Sequence, residues 1–189
     1  MTGRAMRIRC LAGAAILAAL AVAACDRTSA PAGGPAAAAF NHAATADISG
    51  YYLPVAPVRI GQWSLDHLFV GQAQEFESWE GGSRSETFAP VMLQFDDAAS
   101  PMVETELGEA HSVTARVLPT RYEVTDSAVR FEGESPELGR VRFEGQLDQG
   151  ALATARRNLG GGDGVVLTGS LTAAGQTVRG VRLTWWMGD

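Results

Sequence analysis

The feature that most limits the fold of this chain is a succession of short segments, from Ile48 onwards, in which apolar and polar residues alternate. Alternation with a period of two places the apolar side chains on one face of a β-strand. Turn-forming Gly, Pro, Asp and Ser separate the segments. We therefore predict an all-β domain over residues 48–189, an antiparallel β-barrel or β-sandwich of about 8–10 strands. The alternating sets are Trp63, Leu65, His67 and Phe69; Val91, Leu93 and Phe95; Val113, Ala115 and Val117; Tyr122 and Val124; Val165, Leu167, Gly169 and Leu171; and Val181, Leu183 and Trp185.

An internal repeat identifies one pair of neighbouring strands. Residues 129–133 read VRFEG, and residues 141–145 read VRFEG again. The connector holds Ser135, Pro136 and Gly139, which favour a turn. We predict an antiparallel hairpin in which Val and Phe face the core, while Arg and Glu stand on the other, solvated face and pair across the strands.

One segment has helical spacing instead. The run 151–159 repeats apolar residues at intervals of three and four, and Asp148 precedes it as a candidate N-cap. Two Arg lie near the end of the run, where the helix dipole favours cations, and Gly160 follows as a candidate stop. We predict one short helix here that covers an end of the sheet. Its apolar positions are Leu152, Ala155 and Leu159.

The charge and the cysteines limit the partners and the bonds of this domain. The formal net charge is −6, and all 15 basic residues are Arg. No basic stripe is present to neutralise phosphates, so we expect no nucleic-acid partner. Cys10 and Cys25 both precede the predicted domain, so we expect neither a disulfide nor a Cys-based metal site to hold it together.

The first 24 residues have the parts of a secretory signal peptide. Three Arg lie before residue 10 with no acidic residue among them, and residues 10–24 form an uncharged apolar run. This run is shorter than the roughly 20 residues that a membrane span needs. It ends Val22-Ala23-Ala24-Cys25, which resembles the lipobox of bacterial lipoproteins. The resemblance implies cleavage after Ala24 and lipidation of Cys25 with fatty acyl chains such as palmitate.

The leader predicts a location. Lipidation at Cys25 implies a protein of the bacterial cell envelope, anchored to the membrane and facing the periplasm, with Cys10 discarded in the leader. Asp26 resembles the inner-membrane retention signal of enteric bacteria, which other bacterial groups do not all obey, so inner and outer membrane both stay open. Two alternatives to lipidation also stay open: a chance Cys beside an ordinary cleavage site, and an uncleaved anchor.

Residues 25–47 have the composition of a tether. Ala, Pro, Gly, Ser and Thr dominate, and Phe40 is the one aromatic residue, so the segment has too little apolar surface to offset the entropy of ordering. We predict a flexible tether between the lipid and the domain, with His42 in solvent. Removal of residues 1–24 leaves 12 Arg against 21 acidic residues, a net charge of −9. The lipid, rather than the acidic surface, then supplies the membrane affinity.

Catalytic motifs are mostly absent from the sequence. It contains no G-x-S-x-G, no H-E-x-x-H and no Lys-Ser/Thr after the Gly-rich run 160–164. Asp66 and His67 are adjacent, and in a regular strand they point to opposite faces, which excludes a relay between them. Residues 75–80 hold three carboxylates around two aromatic rings; a glycosidase pair is conceivable there, but an acidic surface strand is favoured. We predict no catalytic residue, no metal and no cofactor, and leave enzymatic activity open with a non-enzyme favoured.

Two short motifs resemble those of ligand-binding barrels. Gly61-Gln62-Trp63 resembles the G-x-W element on the first strand of lipocalin-type barrels, where the Trp packs across the closed end. Residues 167–175 are similar to the G-x-L-T stretch of the periplasmic polyisoprenoid-binding barrels. Both resemblances imply a barrel that holds an apolar ligand. The candidate pocket residues are Trp63, Phe69 and Phe95.

Trp185 and Trp186 are consecutive, so a strand directs them to opposite faces. If Trp185 joins Val181 and Leu183 in the core, Trp186 faces another layer or the solvent. We favour burial of Trp186 under the 151–159 helix; if exposed, it is a candidate contact for a partner.

The sequence therefore supports three hypotheses for function. The first is a lipid-anchored envelope protein whose β-domain binds an apolar ligand without catalysis. The second is a structural or protein-interaction module of the envelope that uses an acidic sheet face and Trp186. The third is an envelope hydrolase, which convergent carboxylates or a His–carboxylate pair in a cleft would favour.

Overall fold

The computed structural model of the protein describes residues 39–106, 108–159 and 164–188. The predicted leader, Cys25 and most of the predicted tether lie outside the described residues. Over the ranges that are described, no helix has the length and apolar character needed to cross a membrane.

Thirteen strands and two short helices make up the described part of the chain. In chain order they are β1 Phe40–His42, β2 Gly50–Pro54, β3 Arg59–Ile60, β4 Trp63–Val70, α1 Ala73–Glu80, β5 Val91–Asp97, β6 Met102–Thr105, β7 Gly108–His111, β8 Thr114–Val117, β9 Pro119–Val124, β10 Ala128–Ser135, β11 Gly139–Leu147, α2 Gln149–Arg157, β12 Leu167–Ala173 and β13 Gln176–Trp186. The predicted all-β class is confirmed. The strand number exceeds the predicted 8–10 because several strands span only two to four residues.

The main sheet curls into a half-barrel. Its hydrogen-bonded order is β1-β9-β10-β11-β12-β13-β2-β4-β5-β8, with β3 added beside β4. Only the β1–β9 pair is parallel among the described pairs. Leu118 alone separates β8 from β9, so the chain itself brings the two sides of the curled sheet together. β6 and β7 pair with each other as a separate hairpin.

Large side chains fill the interior of the curled sheet as one cluster. Strands on every side contribute to it, and so do both helices, which matches the close packing of protein interiors. Phe95, one of the predicted pocket residues, belongs to this cluster and is 0% exposed. The largest side chains below 2% exposure are Tyr52, Tyr122, Phe76, Phe95, Phe131, Phe143, Ile60, Leu68, Leu93, Leu138, Leu152 and Leu167.

The repeated VRFEG segments form the predicted hairpin. In β10 and β11 Phe131 lies opposite Phe143, and both are buried. Arg142 pairs with Glu132 across the strands at 2.9 Å. Arg130 lies opposite Glu144 but bonds to Glu123 of β9 at 2.7 Å. The charged face therefore bridges three strands, and its partly exposed ion pairs suit a solvated surface.

A β-bulge in β4 changes which residues face the core. Leu65 pairs with Phe95, but His67 rather than Asp66 pairs with Gln94. One extra residue shifts the alternation by one, so every side chain after it changes face. Leu65, Leu68 and Val70 are buried, while His67 and Phe69 turn outward. The prediction that Trp63, Leu65, His67 and Phe69 share one face is therefore wrong after Leu65.

The predicted helix is confirmed as α2, with a correction at its end. Asp148 caps it by accepting a hydrogen bond from the Ala151 N–H at 2.9 Å. Leu152 and Ala155 are buried as expected. Leu159 lies beyond the helix at φ 52° and is 67% exposed, so it is not part of the apolar face. Gly160, the predicted stop, lies outside the described residues.

The segment predicted as an acidic surface strand is the helix α1. Phe76 and Trp79 lie three residues apart on its buried face, and the Gln72 N–H donates to the Glu75 carboxylate at 2.7 Å to start the helix. Glu75 and Glu80 are five positions apart in the sequence, about 140° around the helix, so they point to different sides. Phe76 and Trp79 are both members of the core cluster.

Residues 39–47, which we call the N-terminal strap, belong to the folded domain. They lie within the predicted tether, so the prediction of flexibility up to residue 47 is wrong for this part. Phe40–His42 pairs in parallel with β9, and Asp126 accepts hydrogen bonds from Thr45 and Ala46. The ring of His42 stacks on Phe76 at 4.0 Å, instead of lying free in solvent. The one aromatic residue, Phe40, supplies the strap with an apolar contact to Trp79 and Tyr122.

Candidate ligand cleft

A cleft of about 750 Å³ opens where the start of β2, the end of β4, α1 with its following segment, and the end of β13 meet. Strand ends and loops supply its walls, which is where binding residues are commonly placed on a β-scaffold. Its lining residues are Asp47, Ser49, Gly50, Tyr51, Phe69, Val70, Gly71, Gln72, Gln74, Glu75, Ser78, Trp79, Ser83, Ser85, Phe88, Pro90, Arg156, Trp185 and Met187.

Trp185 lies in the floor of the cleft. Strand alternation turns it inward together with Val181 and Leu183, as predicted, and its indole Nε1–H donates to the Ser49 carbonyl at 2.8 Å. The guanidinium of Arg156 lies 5.2 Å from the centre of its ring, a cation–π distance. Helix α2 therefore covers Trp185, and the prediction that it covers Trp186 is wrong.

Asp47 and Arg156 form the charged side of the cleft. The Arg156 guanidinium donates to the Asp47 carboxylate and to the Asp47 carbonyl, the latter at 2.8 Å. Burial raises the pKa of Asp47, but hydrogen bonds from Ser49 and Arg156 outweigh it and hold the pKa below its usual value. The strap and α2 are thus joined by a charge-assisted contact at the cleft wall.

Helix α1 and the turn before it form a second wall. The Gly71 N–H donates to the Pro90 carbonyl at 2.7 Å, which joins the start of α1 to the start of β5. The Glu75 carboxylate faces this turn and accepts from the Gln72 N–H. Both carboxylates of the lining, Asp47 and Glu75, are therefore already engaged in hydrogen bonds.

Trp79, in the same wall, has an unsatisfied donor. It is 6% exposed, and its indole Nε1 is buried without a hydrogen-bond partner. An indole nitrogen is a donor only, and a buried donor without an acceptor costs about 1–3 kcal/mol. The Arg84 guanidinium lies 4.5 Å from the ring centre and covers it from the exposed segment 81–88.

Aromatic rings line the open side of the cleft and continue beyond it. Tyr51 and Phe69 lie 5.2 Å apart, and Phe69 and Phe88 lie 5.6 Å apart, in the tilted and edge-to-face geometries that aromatic pairs prefer. Trp186 lies 5.6 Å from Tyr51 on the side away from Phe69. We call Tyr51, Phe69, Phe88 and Trp186 the aromatic ridge. Phe88 is 38% exposed, so part of the ridge is open to solvent.

The structure separates the three predicted pocket residues. Phe69 lines the cleft. Phe95 is in the packed core. Trp63 is half-buried against the core and lines a shallow recess with Gly61, at the opposite end of β4 from the cleft. Trp186 is half-buried beside Tyr51 and is not part of the lining. Cys25 lies outside the described residues.

A contact that the sequence argument excluded is present in β4. The Asp66 carboxylate and His67 Nδ1 lie 2.6 Å apart, because the bulge breaks the regular alternation that would turn these neighbours apart. Burial and the nearby Asp66 raise the pKa of Asp96, which lies across from them on β5. These residues are not in the cleft lining. The described residues contain no group of three or more His, Cys, Asp or Glu side chains placed to hold a metal ion.

The conceivable glycosidase carboxylates do not converge. Glu75 accepts from the Gln72 N–H at the start of α1, whereas Glu80 at its end accepts from the Tyr122 hydroxyl at 3.0 Å and the His42 N–H at 2.8 Å. Burial, and then this hydrogen bond, raise the pKa of the Tyr122 phenol well above its usual value. Glu80 thus holds the strap to α1 and β9.

For several cleft residues the sequence predicts no site role. Composition places Asp47 in the predicted tether, helical spacing places Arg156 at the end of a covering helix, and the acidic pattern of residues 75–80 predicts a surface strand for Trp79. Gly50-Tyr51-Tyr52 offered a usable signal, because a strand here turns one Tyr inward and the next outward. Comparison of the chain with protein-family models, with curated proteins and with solved structures finds no match.

Proposed function

We propose that this protein is a lipid-anchored binding protein of the bacterial cell envelope, and that its cleft takes a small ligand with an apolar face without catalysing a reaction. The observation that carries the proposal is an open, aromatic-lined cleft of about 750 Å³ beside a core that side chains fill. Clefts of roughly 300–1,000 Å³ with aromatic walls and a few fixed polar groups are typical of small-molecule sites.

The arrangement of the cleft favours binding over hydrolysis. Asp47 is paired with Arg156, and Glu75 is bonded to the turn before α1, so neither carboxylate is free to act as a base on a ligand. The His67–Asp66 pair lies outside the lining. The apolar part of a ligand would contact Tyr51, Phe69 and Phe88 instead.

Envelope location remains part of the proposal and is supported by the leader. The charged start, the apolar run and the Val22-Ala23-Ala24-Cys25 segment occur in the order of a lipoprotein signal. Two acyl chains suffice for stable membrane attachment, since each buried CH₂ contributes about 0.8 kcal/mol.

Site-specific photocrosslinking in living cells tests the binding role. A benzophenone-bearing phenylalanine analogue replaces Phe88 in the cleft, and the same analogue replaces Met102 on the exposed β6 as a matched control. Intact mass measurement of the full-length protein is expected to find small-molecule adducts at position 88 and not at position 102. Equal adduct patterns at the two positions, or none at 88, would overturn the proposal.

A second candidate function is protein interaction through the outer end of the aromatic ridge. Trp186 favours it, because a half-buried Trp beside Tyr51 and outside the cleft is the kind of residue that anchors interfaces. The same analogue at position 186 distinguishes the two. Protein-sized adducts at 186 without small adducts at 88 would select the interaction module.

A further inference from the structure

The unsatisfied donor of Trp79 indicates what the ligand must bring. Trp79 lines the cleft, and its Nε1–H is buried and has no acceptor among the described residues. Buried polar groups in folded proteins normally have a hydrogen-bond partner. A ligand that presents an acceptor oxygen to this N–H would remove the deficit, so a purely hydrocarbon ligand leaves the feature unexplained.

The charges of the cleft select a neutral ligand. Among the described lining residues Arg156 is the one cation, and it is bonded to Asp47. A phosphate or carboxylate would have to compete with Asp47 for it, next to a second carboxylate at Glu75 and inside an acidic domain. A cationic ligand would compete with Arg156 for Asp47.

The remaining polar groups are hydroxyls and amides. The side chains of Gln74 and Ser83 line the cleft and make no hydrogen bond to other described residues. Together with the Trp79 N–H they offer donors and acceptors without charge. Gln74, Ser83 and Trp79 line the same cleft as the rings of Tyr51, Phe69 and Phe88, so the site is matched to a molecule with an apolar face and a hydroxyl-bearing edge.

We infer that the cleft binds a neutral saccharide, whose ring lies against the aromatic ridge and whose hydroxyl or ether oxygen accepts from Trp79 Nε1. This inference rests on the proposed binding function and specifies its ligand class. The indole N–H is buried, and the Arg84 guanidinium lies over the Trp79 ring, so the side chain of Arg84 must move aside for the sugar oxygen to reach the N–H. A free oligosaccharide and an end of an envelope polysaccharide present the same chemistry.

Calorimetric titration of the full-length protein tests the inference, in a detergent without a sugar headgroup. The probes are cellobiose and N,N′-diacetylchitobiose, with glucuronic acid as the charged comparison and insoluble cellulose and chitin in a pull-down. A neutral disaccharide is expected to bind, and glucuronic acid is not. Binding of the polymer alone would identify a chain end, rather than a free sugar, as the ligand.

Two tryptophan variants make the test specific. Trp79→Phe keeps a ring and removes the donor, so the affinity for the bound saccharide is expected to fall at least about tenfold. Trp63→Phe makes the same change at the far end of β4 and is expected to leave the affinity unchanged. Gln74→Ala is an exposed substitution that leaves the fold intact, and it is also expected to weaken binding.

The outcomes separate the inference from the function on which it rests. If no saccharide binds while position 88 crosslinks to an apolar small molecule in cells, the saccharide inference fails and the binding function stands. If neither occurs, both fail. Saccharide binding that is equally strong in Trp79→Phe, Gln74→Ala and Trp63→Phe would also overturn the inference, because the sugar would then lie elsewhere.

Discussion

At Gly50 the backbone has φ +137°, and a Cβ built there would lie 2.3 Å from Trp185 Nε1. The glycine is what lets the start of β2 approach the indole closely enough for its hydrogen bond to the Ser49 carbonyl. Both the positive φ of Gly50 and its close contact with the Trp185 indole require that residue 50 has no side chain. The floor of the cleft is set at this residue.

We therefore expect Gly50→Ala to lower the free energy of unfolding by about 2–6 kcal/mol. The strained backbone costs about 1–3 kcal/mol, and the clash with the indole costs about 1–3 kcal/mol more. Urea unfolding followed by circular dichroism measures the change. Gly61→Ala is the control: its φ is +60° and nothing lies within 4 Å of the added Cβ, so we expect only the backbone penalty of about 1–2 kcal/mol. Equal losses in the two variants would contradict this account of the floor.

Asp66 is a second single residue that shapes the cleft, because it decides which side chains of β4 face the core. As the extra residue of a bulge it turns Phe69 out of the core and onto the aromatic ridge. Strand β4 contains no Gly or Pro from which the bulge could be predicted. Its position is decided by the partner strand, because Leu65 and Leu68 both pack inward only if one residue between them is left unpaired.

Among the elements, the N-terminal strap is held by contacts that respond to pH. Burial lowers the pKa of His42 below its ordinary 6.5, against the opposing influence of Glu80, Asp126 and Glu77. The attached strap therefore favours the neutral ring. The stability that the neutral His42 ring gives to strap attachment is fully present at pH values above the ordinary pKa. It is lost as the pH falls from about 6.5 through the lowered pKa.

We expect the strap to open more often as the pH is lowered from about 7 to 5, across the ordinary pKa of histidine. Hydrogen exchange of the Ala43 N–H, which bonds to the Val124 carbonyl at 2.8 Å, reports the opening once intrinsic exchange rates are divided out. His42→Phe keeps a ring to stack on Phe76 and should remove the pH dependence. The Leu152 N–H of α2 serves as the internal control and should not change. A pH dependence that persists in His42→Phe would show that another group is responsible.

The two faces of the β10–β11 hairpin contribute unequally to the free energy of unfolding. Phe143 is 0% exposed, so Phe143→Ala should lower the free energy of unfolding by about 3–5 kcal/mol. Arg142 pairs with Glu132 on the solvated face, so Arg142→Ala should cost less than about 1 kcal/mol. Urea unfolding of the two variants measures the difference. A loss at Arg142 as large as that at Phe143 would mean that the charged face is covered rather than solvated.

For the whole molecule, we propose that the acyl chains on Cys25 attach the protein to the membrane. A domain with a net charge of −9 is repelled by an anionic membrane surface, so the proposed acyl chains supply the affinity. We expect the mature wild-type protein, and Cys10→Ser, to begin at an acylated Cys25. Cys25→Ser should lack the acyl mass and keep residues 1–24. Intact and N-terminal peptide mass spectrometry of the membrane fraction checks this. A mature wild-type protein that begins at any other residue would contradict the lipidation proposal.

The sequence by itself determined the all-β class, the β10–β11 hairpin, the α2 helix and the inward turn of Trp185, because each follows from periodicity or from near neighbours along the chain. Only the tertiary structure decided the cleft. Asp47 and Arg156, 109 residues apart, meet at its wall, and Trp79 reaches it from a helix that resembled a strand. Contacts of this kind depend on how the sheet curls and where a bulge falls. Both are set by packing between strands distant in the chain, which no local pattern of residues records.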